Sequence, residues 1–120
     1  MGLDQYAYRV NDTGERVEIT YWRKHNRLQG WMENLWVEKG YTEEFNLEDL
    51  ELGWEDIIKL EKDIGERTLP STQGFFYGSD SYDYHSDYGT YDDYENDLIF
   101  IEQSKIALDC GDKVVYTCWW

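Results

Sequence analysis

The spacing of apolar residues switches repeatedly along this chain, from every second position to every third and fourth and back. That switching confines it to folds that mix strands with helices. Leu3, Tyr6, Tyr8 and Val10 nearly alternate and run into Asn11-Asp12-Thr13-Gly14, so a strand from Leu3 to Val10 and a turn are predicted. A short extended piece, Arg16 to Ile19, follows. From Thr20 to Lys39 the period lengthens: Tyr21, Leu28, Trp31, Met32, Leu35 and Trp36 recur at three and four. This predicts an amphipathic helix with Thr20 as its N-cap and Gly40 as its stop.

Phe45, Leu47, Leu50 and Leu52 then predict a strand with an irregular step at Glu48-Asp49, ended by Gly53. A second helix is expected from Trp54 to about Ile64, burying Trp54, Ile57, Ile58, Leu60 and Ile64, with Glu55 and Asp56 in the first turn. Gly65 and Pro70 close it. Thr72 to Thr90 is Gly, Ser, Tyr and Asp without a sustained period and reads as a long irregular loop, of the kind that is usually functional or mobile. A third helix, Tyr91 to Cys110, carries Tyr91, Tyr94, Leu98, Ile101 and Leu108 on one stripe, and a closing strand runs from Lys113 to Trp120. The terminal Trp119-Trp120 pair is expected to be tied into the core or a partner, because two large rings are costly to leave in water. The order implies one α+β domain over residues 1–120: a small antiparallel or mixed sheet with about three helices in two layers.

Charge narrows the partners. Against 26 Asp and Glu stand 11 Lys and Arg, a formal net of −15, so direct nucleic-acid binding is not expected: affinity for a polyanion comes chiefly from cations that displace its counterions. Anionic membrane surfaces are disfavoured by the same field. Two readings of the charge stand, a basic protein partner that includes the case of DNA mimicry, or plain solubility for a Trp- and Tyr-rich chain. No stretch reaches the ~20 apolar residues of a membrane span, and Met1-Gly2-Leu3-Asp4 lacks the basic and apolar parts of a signal peptide, which predicts a cytoplasmic protein. Cys110 and Cys118 have no His or Cys at ligand spacing. Free thiols are expected, with no metal and no cofactor.

Three segments can carry chemistry. The first is Tyr21-Trp22-Arg23-Lys24-His25-Asn26, where cations, an imidazole and an amide crowd beside aromatics. On a helix His25 falls among Tyr21, Leu28, Met32 and Leu35, and Arg23, Arg27, Gly30 and Asn34 fall opposite. His25 then is either a core histidine held by one hydrogen bond or a pocket histidine that meets a ligand or moves a proton. The outer stripe is either solvated or an anion contact. The second segment is the turn around Thr72, Gly74, Phe75, Phe76 and Ser79, where rings and hydroxyls suit a planar polar ligand, or where Phe75 and Phe76 are simply core. The third is the acidic tyrosine run, Asp80, Asp83, Asp87, Asp92, Asp93, Glu95 and Asp97 with Tyr82, Tyr84, Tyr88, Tyr91 and Tyr94, whose spacing does not match a calcium loop. No nucleophile elbow, zincin or dinucleotide fingerprint occurs, so no catalytic residue is assigned.

Gly2-Leu3-Asp4 with Tyr6, Tyr21-Trp22-Arg23-Lys24-His25-Asn26 with Gly30-Trp31-Met32, Leu69-Pro70 with Thr72, Gly74-Phe75-Phe76, Gly78-Ser79, and Tyr116 with Trp119-Trp120 span nearly the whole chain. Together they resemble a family of small proteins encoded by bacteriophages and some bacteria that often open Gly-Leu-Asp-Met-Tyr; Gln5 stands here where Met is common. Some members carry the label phosphoglycerate kinase, whose two large domains and nucleotide site do not fit in 120 residues. The resemblance implies a phage accessory protein that works in the host cytoplasm by sequestering a small molecule or blocking a host protein. The expected site joins Tyr21, Trp22, Arg23, His25 and Asn26 to Thr72, Gly74, Phe75, Phe76 and Ser79 around a small polar or nucleotide-like ligand, without catalysis. The alternative is an acidic inhibitor of a basic host protein.

Overall fold

The computed structural model describes residues 3–23, 25–66, 69 and 91–119, of which 91–94 through their backbone alone. Strand β1 (Asp4–Val10) forms a hairpin with β2 (Arg16–Arg23) across a turn in which Asn11 Oδ1 accepts from the backbone N–H groups of Thr13 and Glu15. Gly14, at φ +84°, supplies the left-handed residue that the turn requires. Helix α1 (Asn26–Glu38), strand β3 (Asp49–Leu52), helices α2 (Trp54–Glu66) and α3 (Tyr91–Asp109), and strand β4 (Lys113–Trp119) follow. The four strands make one sheet in the order β2-β1-β4-β3 with every neighbour antiparallel, and the fold is α+β with the helices on one face.

Period-two alternation decides which side chains meet those helices. Gln5 and Ala7 of β1, Thr20 and Trp22 of β2, Leu50 and Leu52 of β3, and Val114, Tyr116 and Cys118 of β4 point inward and are buried. The apolar ones among them pack on Leu28, Met32 and Leu35 of α1, Ile57, Leu60 and Ile64 of α2, and Phe100, Ile101 and Ala107 of α3 in one continuous cluster. Trp22 anchors it, edge-on to Phe100 with ring centroids 5.2 Å apart, a favoured aromatic geometry.

Several expectations need correction. The first helix starts at Asn26 and not at Thr20, because the segment through Arg23 stays in the ladder: Thr20 pairs with Ala7 and Arg23 with Asp4. Thr20 therefore caps nothing. Gly30 is buried and does not share an outer face with Arg23, which lies on the sheet. The strand expected over Phe45 to Leu52 is only Asp49–Leu52; Phe45 reaches the core from a loop whose Leu47 sits at φ 62° and donates its N–H to the Cys118 carbonyl at 2.7 Å. Trp54 and Ile58 of α2 are 45% and 49% exposed, since the sheet takes the arc through Ile57, Leu60 and Ile64 and the other two face away from it. Leu98 is likewise half exposed, and α3 meets the core along Asp97, Phe100, Ile101, Ser104 and Ala107. Trp119 is 56% exposed rather than tied into the core; Trp120 and the segment Thr72 to Thr90 lie outside the described residues.

The arc of α2 is testable with two small substitutions. Leu60→Ala should cost about 2–5 kcal/mol of unfolding free energy through the cavity it leaves, and Ile58→Ala about 1 kcal/mol or less. Urea denaturation of both variants checks this, and equal costs would place the helix in the wrong rotation.

Candidate functional site

The residues expected to form one site divide between the two faces of the sheet. Trp22, His25 and Asn26 are turned into the core, with 0–1% of their surface exposed, and Tyr21 and Arg23 stand on the opposite, open face. The cause is the strand conformation of Tyr21 to Arg23, which sends neighbours to opposite sides where a helix spreads them by about 100°. Arg27 is half-buried and donates Nη1 to the Leu69 carbonyl at 3.2 Å. Thr72, Gly74, Phe75, Phe76 and Ser79 lie outside the described residues.

The inner half is a buried polar network. Asp97, on α3, accepts from Trp22 Nε1 on Oδ1 at 2.9 Å, and its Oδ2 lies 2.9 Å from His25 Nε2. While Asp97 is ionised it can only accept, so Nε2 carries the proton between them. Gln5 clamps the corner between β2 and α1: the His25 backbone N–H donates to Gln5 Oε1 at 2.8 Å, and Gln5 Nε2 donates to the His25 carbonyl at 3.0 Å. Gln5 Nε2 also donates to Tyr116 Oη at 2.9 Å, Tyr116 Oη donates to Gln29 Oε1 at 2.6 Å, and Gln29 Nε2 reaches Cys118 Sγ at 3.2 Å. Cys118 Sγ passes the chain to the Phe45 carbonyl at 3.2 Å. Gln5, Tyr116 and Gln29 each have partners in this relay, the condition under which polar burial is tolerated. His25 and Asp97 have the pairing of a proton-transfer couple, but neither offers surface to a substrate. This arrangement locks a corner of the fold.

The outer half is exposed and differently built. Tyr6 of β1 packs its ring 5.2 Å from Tyr21 of β2, and Tyr21 Oη donates to Asp4 Oδ1 at 2.7 Å. That bond to a carboxylate holds the phenolic proton and raises the Tyr21 pKa above its ordinary 10.0, with a smaller contribution from partial desolvation. Asp4 pairs across the ladder with Arg23 on one side and Trp119 on the other, so an exposed guanidinium, a carboxylate and an exposed indole lie in one row on the open face. Two strand spacings put the ends of this row about 10 Å apart. Below it, Arg16 crosses the face above the Tyr8 ring, with its guanidinium carbon 5.6 Å from the centroid, to form an ion pair with Asp49 of β3.

Asp4, Tyr6 and Trp119 were visible in the sequence as strand residues, but their company with Tyr21 and Arg23 depends on β1 lying between β2 and β4. Gln5, Gln29, Asp97 and Tyr116 were not singled out for the inner network. For Asp97 a signal existed: it shares a helical stripe with Phe100, Ile101 and Ser104, which is a core face. No protein-family model matches the chain, and no curated protein or solved structure matches it.

Tyr116→Phe removes one hydroxyl and leaves both Gln5 Nε2 and Gln29 Oε1 a partner short. A loss of roughly 1–3 kcal/mol is expected, although the ring still fills its site. Chemical denaturation measures it, and an unchanged stability would mean that the relay contributes nothing.

Proposed function

We propose that this chain is a non-catalytic binding protein that holds a small, planar, polar ligand of nucleotide-like chemistry on the open face of its sheet. The observation that carries the reading is the row Arg23, Asp4, Trp119 with Tyr21 and Tyr6 beside it. An indole 56% exposed offers a flat surface on which a ring can stack. Arg23 at the far end suits an anionic group, and Asp4 between them can accept from a ring amine or a sugar hydroxyl. The span of about 10 Å, two strand spacings, is that of one ring with one charged substituent and does not call for a polymer. A net charge of −15 also works against a long polyanion.

The non-catalytic part of the reading is supported by the burial of His25 and Asp97, which keeps that pair away from a ligand on the open face. The setting, a phage accessory protein in the cytoplasm of its host, rests on the resemblance of Gly2-Leu3-Asp4, Tyr21-Trp22-Arg23-Lys24-His25-Asn26 and Trp119-Trp120 to phage-encoded proteins. Among the described residues no helix is long and apolar enough to cross a membrane.

A thermal-shift panel of nucleoside mono- and diphosphates and other planar metabolites tests the reading. A ligand at about a hundredfold excess over its Kd adds about 2.7 kcal/mol to the folded state and raises the Tm. Trp119→Ala and Arg23→Ala should remove that rise while keeping the unliganded Tm, because both side chains are exposed. If no compound shifts the Tm and denaturation releases no small molecule, the reading is wrong.

A further inference from the structure

On the far side of the molecule from the sheet's open face, α1 and α2 enclose a groove. The two helices run antiparallel, as three successive contacts show: Lys39 Nζ with Asp56 Oδ2 at 3.0 Å, Lys59 Nζ with Glu38 Oε2 at 4.0 Å, and Trp31 Nε1 donating to Asp63 Oδ2 at 2.7 Å. The groove encloses about 540 Å³. Its floor is Trp31 and Leu35, and its rim is Val37, Glu38, Lys59 and Asp63. Val37 is 68% exposed, a branched apolar side chain left in water at the mouth of a concave site.

We propose that this groove docks a cationic amphipathic helix of a partner protein. Its apolar side chains would lie on Trp31, Leu35 and Val37, and its lysines or arginines would face Glu38 and Asp63. A valley between two antiparallel helices accepts a third by interdigitation of side-chain ridges, with anchors at helical spacing. An apolar floor of tryptophan and leucine inside a mostly charged rim is the arrangement in which binding energy concentrates at the centre.

Charge selects the occupant. Two carboxylates face one ammonium in the groove, and the chain as a whole carries −15. The Lys59 and Glu38 pair is exposed at 60% and 62%, so it is worth little and yields readily to an incoming cation. A second copy of this chain is a poor occupant. It brings the same net charge, and its exposed helical stripe, Leu98, Ile99 and Ile106 of α3, is flanked by Glu95, Glu102 and Asp109.

The probe is a synthetic peptide of leucine and lysine in a three-four helical repeat, titrated by calorimetry against the full chain, beside a scrambled peptide of equal charge. The patterned peptide should bind, weaken as salt rises to about 0.5 M, and lose about tenfold or more in affinity to Val37→Lys and to Glu38→Lys. Both substitutions are at exposed positions, and circular dichroism with the Tm confirms that each variant folds. Trp119→Ala should leave the peptide affinity unchanged, since this groove does not depend on the ligand reading of the sheet face. Equal binding of the scrambled peptide, or variants that bind as tightly as the wild type, overturns the proposal. Sedimentation that shows a wild-type dimer dissolved by Val37→Lys also overturns it, and assigns the groove to a second copy.

Discussion

A single carboxylate, that of Asp97, determines how the most chemically crowded segment of this chain is presented. It receives the indole N–H of Trp22 and the imidazole of His25 at 2.9 Å each, and so joins α3 to the corner where β2 ends and α1 begins. An unpaired carboxylate at zero exposure would be among the most costly groups a small domain could carry. With both partners in place it becomes a constraint instead. Trp22 has to point inward, and in a strand that sends Tyr21 and Arg23 outward.

The relay through Gln5, Tyr116 and Gln29 extends the same logic across the sheet. A core of leucines alone would fill the space but would tolerate a slip of register more easily than one in which four strand and helix residues must meet within hydrogen-bond distance. Gln5 is central here because its side-chain amide pairs with both backbone polar groups of His25, accepting from the N–H and donating to the C=O, and also donates a hydrogen bond to Tyr116 Oη. The functional consequence follows from geometry: groups that look reactive in the sequence are consumed in holding the fold, and recognition falls to residues that the same alternation leaves outside.

Much of the fold was legible because long segments kept one period. Lys113 to Trp119 sets Val114, Tyr116 and Cys118 at every second position on the inner face, and the Ile57, Leu60, Ile64 spacing of α2 admits only a helix. The segment Thr20 to Arg23 reads as helix locally, because Tyr21, Leu28 and Met32 fit a helical stripe and Thr20 is a good cap, but it is strand. Its ladder with β1, from Thr20 opposite Ala7 to Arg23 opposite Asp4, holds it extended. The site divided for that reason. Asp97 was hidden differently, as one member of a run of carboxylates whose other members look like solvent-facing charge; its place on the Phe100 and Ser104 stripe distinguishes it. The open-face row was not legible at all, since it joins residues 4, 23 and 119, which meet only through sheet order.

The most direct measurement is hydrogen exchange at the indole N–H of Trp22, followed by NMR in the wild type and in Asp97→Ala. If Asp97 sets the corner, the wild-type Trp22 indole exchanges only with global unfolding, and the variant exchanges it much faster while the exposed Trp119 indole is unaffected. A Trp22 indole that already exchanges as fast as that of Trp119 in the wild type, or that stays equally protected without the carboxylate, would contradict the account.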